Sequence, residues 1–229
     1  MSYFSDFASL FFPRLCETCH NALLRHEEIV CTLCLHQIPR TGFHNEDHNV
    51  VSQIFWGRVA IEHVAAWSFF LKGGKVQHLI HLMKYNGKKE IGHFLGKIYG
   101  KDLVNSPFFH DVEVIVPVPL HKKRKWKRGY NQSEYIAMGL SESMRIPLDT
   151  KSLIRETASE TQTKKSRFRR WENVKEIFAV RDFSSLQNKH ILLVDDVITT
   201  GATIEACARE LLKIQGVKIS VVGLACSAK

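Results

Sequence analysis

Residues 191–203 read ILLVDDVITTGAT. The apolar run at 191–194 has the composition of a buried strand. It delivers Asp195 and Asp196 at its carboxyl end, and a turn rich in Thr and Gly then opens a helix. Adjacent carboxylates at a strand tip can accept hydrogen bonds from a vicinal diol. The backbone amides of 199–203, Ala202 included, and the hydroxyls of Thr199, Thr200 and Thr203 make a cradle for a phosphate. It sits at a helix N-terminus, where the dipole and unpaired N–H groups favour an anion. Gly201 allows close backbone approach. Diol acceptors a few residues before a phosphate nest are what a ribose 5-phosphate needs.

Outward from this segment, the chain from residue 58 onward alternates two periodicities. Residues 59–71, 112–118, 190–194 and 217–225 read as strands; 76–84, 91–103, 133–144 and 202–213 read as helices, with a break at Asn86-Gly87. Alternation of this kind predicts an α/β fold, a mostly parallel sheet with helices on both faces. Ligands on such sheets collect beyond the carboxyl ends of the strands.

The N-terminal stretch is different. Cys16, Cys19, Cys31 and Cys34 form two Cys-x-x-Cys turns, while Cys207 and Cys226 stand far away. Two tight pairs predict a structural four-thiolate site for zinc, which leaves no open position for a substrate water. His20, His26 and His36 are expected as exposed polar residues. Phe4, Phe7, Leu10 and Phe11 recur at helical spacing and predict a short packing helix before Pro13. A polar stretch with Pro39 and Gly42 reads as a linker. The expected organisation is a zinc module at 1–40, a linker at 41–57 and an α/β domain at 58–229.

Of 229 residues, 32 are Lys or Arg and 23 Asp or Glu, a formal charge of +9 that suits polyanionic partners. A hydrophobic content of 45% and charged content of 24% exclude a disordered chain. No apolar run approaches the roughly 18 residues of a membrane span, and the start lacks the pattern of a signal peptide. A cytoplasmic location is expected.

Two basic stretches remain. Residues 116–132, VPVPLHKKRKWKRGYNQ, crowd six cations into a segment read as a loop leaving a strand's carboxyl end. Residues 161–171, TQTKKSRFRRW, carry five more. Either stretch can serve a polyanion, and Trp126, Phe168 and Trp171 among these cations could stack bases of single-stranded DNA.

The 191–203 segment resembles, position for position, the 5-phosphoribosyl-1-pyrophosphate (PRPP) motif of type I phosphoribosyltransferases. With the four-cysteine knuckle, Lys84-Tyr85, the P-V-P strand end and the R-G-Y-N-Q box, the chain is similar to the ComF family, which includes competence-associated and GntX-like proteins. The resemblance implies the Rossmann-like type I phosphoribosyltransferase fold. It gives Asp195 and Asp196 the ribose hydroxyls of PRPP, and Thr199, Thr200, Gly201, Ala202 and Thr203 its 5-phosphate. Lys127, Arg128 and Gly129 would form the pyrophosphate loop, with Arg128 catalytic. Mg2+ would accompany PRPP. Gln162, Arg170 and Asn173 fit the family's flexible region, although Lys165 stands where an apolar residue is expected. Three functions follow as expectations: a phosphoribosyltransferase with an unidentified acceptor, a DNA-uptake factor binding single strands, or a PRPP sensor without turnover.

Overall fold

The computed structural model describes residues 12–156 and 177–227. The expected helix around Phe4 to Phe11 lies outside them, as do Gln162, Arg170 and Asn173.

Four parallel strands form the sheet: β1 (Val64–Phe70), β2 (Val114–Pro117), β5 (His190–Ile198) and β6 (Lys218–Ser227), in spatial order β1-β6-β5-β2. β5 and β6 are central, and the residues from Ile191 to Val194 are fully buried. Burial on both faces explains why they are continuously apolar rather than alternating. Each such side chain contributes roughly 1.5–3 kcal/mol. β3 (Leu153–Glu156) and β4 (Ile177–Val180) form a separate antiparallel pair. Both are too short to register in the sequence pattern.

After the short α1 (Thr32–His36) of the cysteine module, helices α2 (Lys75–Tyr85), α3 (Glu90–Val104), α5 (Gln132–Met144) and α6 (Ala202–Leu211) fall where the periodicity puts them. α3 and α5 cross with backbones in near contact. A Cβ on Gly96 would sit 2.2 Å from the Ile136 carbonyl oxygen, and one on Gly139 only 2.1 Å from that of His93. The crossing therefore requires glycine on both helices, and it anchors the start of α5 over β2 and β5.

Two stretches differ from expectation. Residues 122–128, read as a basic loop, form helix α4 (Lys122–Arg128), capped by the His121 ring accepting from Lys123 N. The stretch read as a linker carries two 3-10 turns, Phe43–Asn45 and Ser52–Phe55, and buries Phe43, Val51 and Phe55. Asn49 Nδ2 donates to the Val64 carbonyl at 2.8 Å, and Phe69 N to that of Pro39 at 3.0 Å. This stretch is part of the packed body.

A Ser–His–Asp constellation ties the amino ends of β5 and β6. His190 Nδ1 lies 3.0 Å from Asp111 Oδ1, and His190 Nε2 lies 2.9 Å from Ser220 Oγ. Ser220 is fully buried, so no substrate reaches it, and the group serves to hold the strands.

Candidate functional site

β5 runs on to Ile198, but β2 pairs with it only as far as Pro117, opposite Val194. Residues 195–198 therefore project beyond the end of β2, with β6 as their strand neighbour. The acids lie within a strand that outlasts its neighbour rather than at a strand tip. A cavity of about 360 Å³ opens in that crevice.

Asp195 and Asp196 line this cavity together with Thr199 and Thr203. Asp195 Oδ1 accepts from Ser133 Oγ at 3.1 Å and from Asp196 N at 2.8 Å. Burial, with the Asp196 charge beside it, pushes the Asp195 carboxyl up to about 7. Asp196 Oδ2 lies 2.8 Å from Lys84 Nζ, at the end of α2. The pair thus holds a proton near neutrality while a lysine balances the second carboxylate.

Cations face the acids across the cavity. Arg124 and Arg128 enter from α4 and Arg155 from β3. Helical spacing selects which basic residues turn inward. Arg124, Lys127 and Arg128 share one side, whereas Lys125 pairs outward with Glu134 at 2.9 Å. Lys127 lines an outer groove rather than the cavity, and Arg128 lines both. Gly129 is the left-handed C-cap of α4. The next residues fix the helix in place. The Tyr130 hydroxyl donates to the Met83 carbonyl, and Asn131 Nδ2 to that of Val118 at 2.9 Å. Asn131 Oδ1 also accepts from Ser133 N, capping α5. The R-G-Y-N-Q box is thus largely a fastening between α2, β2 and α5.

Thr200, Gly201 and Ala202 line a small adjoining recess of about 40 Å³, shared with Asp195, Thr199 and Thr203. Among the described residues, the amides of Thr200, Gly201, Ala202 and Thr203 have no protein acceptor. They are the unpaired donors at the start of α6. Gly201 has φ +73°, and a Cβ there would meet Phe55 at 2.7 Å. Its lack of a side chain serves the turn and the packing of the 52–55 segment behind it. Arg58 Nη1 donates to the carbonyls of Ile54 and Thr200, both at 3.0 Å, and its other Nη donates to Glu205.

Sequence reasoning assigns no role to Lys84 and Tyr85, quoted only as a family segment, and misses Ser133, Arg155 and Arg58. The inward Arg124 was readable in principle from its i, i+4 relation to Arg128. Nothing local marks Arg155 or Arg58, which come from distant elements.

In the N-terminal module the sulfurs of Cys16, Cys19, Cys31 and Cys34 all lie within 4.8 Å of one another, those of Cys19 and Cys31 at 3.7 Å. A tetrahedral zinc–thiolate site places sulfurs about 3.8 Å apart, so the four cysteines sit close enough to bind a metal such as zinc. Burial opposes ionisation of Cys16, but amide hydrogen bonds led by that of Cys31 outweigh it and take the thiol to about 6. Burial pushes Cys34 up to about 12, against the pull of Lys75, whose Nζ donates to its sulfur at 3.3 Å. His20, His26 and His36 are exposed and outside the cluster. Among the described residues no helix is long and apolar enough to cross a membrane.

The phosphoribosyl transferase domain family matches residues 131–229. The chain is 32% identical over 138 residues to the DNA utilization protein YhgH of Escherichia coli K12, covering 59% of this chain and 60% of that protein. It is 37% identical over 114 residues to Competence protein F of Haemophilus influenzae, covering 49% and 50%. These matches span 60% or less of the relatives' length. A purine phosphoribosyltransferase from Pyrococcus horikoshii overlays 60% of this chain and 73% of its own, with 18% identity and a TM-score of 0.38. The chain is thus similar to the DNA utilization and competence F proteins, and its residues 131–229 match the phosphoribosyl transferase domain family.

Proposed function

We propose that the crevice beyond β2 binds PRPP and that the protein transfers its phosphoribosyl group to an acceptor, releasing pyrophosphate. The observation that carries this reading is the convergence of one acidic pair, one cradle of unpaired amides and opposed cations on a single cavity. Asp195 and Asp196 would accept from the ribose hydroxyls, and residues 199–203 would hold the 5-phosphate. Arg124, Arg128 and Arg155 would stabilise the leaving group as the bond from the anomeric carbon to pyrophosphate breaks and its electron pair departs with pyrophosphate. The acceptor's lone pair forms the new bond to that carbon, and its proton passes to solvent. Mg2+, which prefers phosphate oxygens and water, would neutralise the pyrophosphate. The four cysteines would hold zinc in a structural role.

The test is calorimetric titration with PRPP and Mg2+ on wild-type protein and the Asp195→Asn/Asp196→Asn variant. Saturable binding lost in the variant is expected. No binding in zinc-loaded wild type would sink both the enzyme and the sensor readings, and binding without pyrophosphate release for any acceptor would favour the sensor.

A second reading, handling of single-stranded DNA, is favoured by one observation. Lys122, Lys123 and Trp126 on α4 are exposed, the indole at 89%. Changing the two lysines to Ala should flatten the salt dependence of binding to a labelled oligonucleotide. The acidic-pair variant should leave that binding intact.

A further inference from the structure

The loop from 86 to 89 joins α2 to α3 and carries the only Asn-Gly pair in the sequence, Asn86-Gly87. We propose that this pair is a site of spontaneous covalent modification, where deamidation turns the neutral Asn86 carboxamide into a carboxylate at the rim of the outer groove. The modification stands on the geometry of the turn, and only its consequence for PRPP rests on the function proposed above.

The step is an intramolecular acyl transfer, so reach rather than concentration governs it. The Gly87 nitrogen gives its proton to water and attacks the side-chain carbonyl carbon of Asn86. A five-membered succinimide closes as the bond to the carboxamide nitrogen breaks. That nitrogen leaves with the electron pair and takes a proton from water as ammonia. Water then opens the ring at either carbonyl, giving aspartate, or isoaspartate with the main chain rerouted through the side chain.

The turn leaves both reacting groups free. Asn86 and Gly87 are exposed, and among the described residues neither the Gly87 amide nor the Asn86 carboxamide has a hydrogen-bond partner. Asn86 is anchored through its own N–H to the Leu82 carbonyl, so the bond that must rotate lies beyond the anchor. A Cβ on Gly87 would meet nothing within 4 Å, and φ of +74° costs glycine nothing, so the peptide has room to swing. Exposed Asn45, Asn105 and Asn188 differ, because the amide that follows each is already bonded: Glu46 to Phe43 at 3.2 Å, Ser106 to Leu103 at 3.1 Å and Lys189 to Leu186 at 3.2 Å. Charge adds to this. Gly87 lines the groove with Lys84, Arg124, Lys127 and Arg128, and Lys88 and Lys89 follow it directly. A positive field favours loss of the amide proton, and it makes the new carboxylate a competitor for the cations that would attract a polyanion.

The experiment incubates the full zinc-loaded chain at mildly acidic and mildly alkaline pH and maps its peptides by mass. Asn86 is expected to convert at least about tenfold faster than Asn45, Asn105 and Asn188, and faster at the higher pH. Isoaspartyl methyltransferase with labelled S-adenosylmethionine should mark the same peptide, and Asn86→Gln should suppress both signals, since its ring would need six members. Conversion at the rate of the other asparagines, or only in urea, would overturn the site. The consequence is read with Mg2+ and inorganic pyrophosphate, whose affinity should fall about three- to tenfold in converted protein and in Asn86→Asp. Unchanged affinity in both would overturn the charge effect. Rapid conversion of Asn86 in a chain that binds no pyrophosphate before or after would leave the modification standing and count against the function proposed above.

Discussion

Lys84 Nζ lies 2.8 Å from Asp196 Oδ2 where the inner cavity and the outer groove meet. The ammonium therefore covers one of the two carboxylates proposed for ribose recognition. A phosphate-bearing ligand in the crevice competes with Asp196 for the same lysine, so Lys84 has a partner whether the crevice is filled or not. Lys84→Met keeps the stem and removes the charge, leaving the acidic pair uncompensated. Mg2+–PRPP affinity should fall by about tenfold or more, the loss of one charge-assisted contact. Calorimetry checks this, with the melting temperature as a control for folding. Unchanged affinity would assign the lysine to the anchoring of α2 alone.

The raised pKa of Asp195 makes a signed prediction about stability. Its carboxyl titrates near 7 in the folded chain and near 4 when unfolded, because burial and Asp196 disfavour the charge. Between those values the folded state binds more protons, so this residue's contribution favours folding at pH 4 and turns against it as pH rises through 7. Asp195→Asn should therefore melt several degrees higher than wild type at pH 8. The gain should fade to nothing near pH 4. Thermal melts across that range decide it, and a pH-independent difference would mean that Asp195 is ionised throughout.

The four-cysteine module grips the segment that carries Lys84. Lys75 Nζ donates to Cys34 Sγ at 3.3 Å, His78 Nε2 lies 3.0 Å from the Glu17 carbonyl, and Lys88 Nζ lies 2.8 Å from Glu17 Oε1. These contacts hold both ends of the stretch from 75 to 88. Stripping zinc-loaded protein with a chelator should raise amide exchange at residues 84–88 while the β5 amides stay protected. Glu17→Ala, with metal retained, should do the same to a smaller degree. Hydrogen-exchange mass spectrometry reads both, and exchange confined to residues 12–36 would show that the module is energetically separate from the site.

The sheet and its principal helices were legible because burial imposes a pattern. β5 and β6 are central, so their runs at 191–194 and 221–226 are continuously apolar, and α2, α3, α5 and α6 each keep an apolar stripe. The crevice was legible in part, since Asp195, Asp196 and the Thr turn come from one continuous segment. What stayed hidden comes from elsewhere in the chain. α4 was obscured because six cations around a single Trp show no apolar period, and 41–57 because polar residues mask the few that are buried. The α3–α5 crossing depends on a coincidence of glycines on two helices 43 residues apart, Gly96 and Gly139. Gly139→Ala puts a methyl group against the His93 carbonyl and should cost about 1–3 kcal/mol. Urea denaturation should show a lower midpoint with an unchanged slope; an unchanged midpoint would mean that the helices part freely.

Arg58 holds, from outside, the turn at 199–203 proposed as the anion cradle. Its Nη1 holds the carbonyls of Ile54 and Thr200, its other Nη holds Glu205, and Arg209 closes the group by donating to the Arg58 carbonyl at 2.7 Å. Tying down the Thr200 carbonyl fixes the plane of the 200–201 peptide, and with it the direction of the Gly201 N–H. Arg58→Ala should weaken binding of ribose 5-phosphate about three- to tenfold, with little change in melting temperature because the ion pair is partly exposed. Arg58→Lys should not restore affinity, since one ammonium cannot reproduce the planar fork. A cycle with Glu205→Ala should show non-additive losses, because both residues hold one turn. If Arg58→Ala binds ribose 5-phosphate as wild type does, the packing of Phe55 behind Gly201 suffices to shape the cradle, and the arginine only fastens α6.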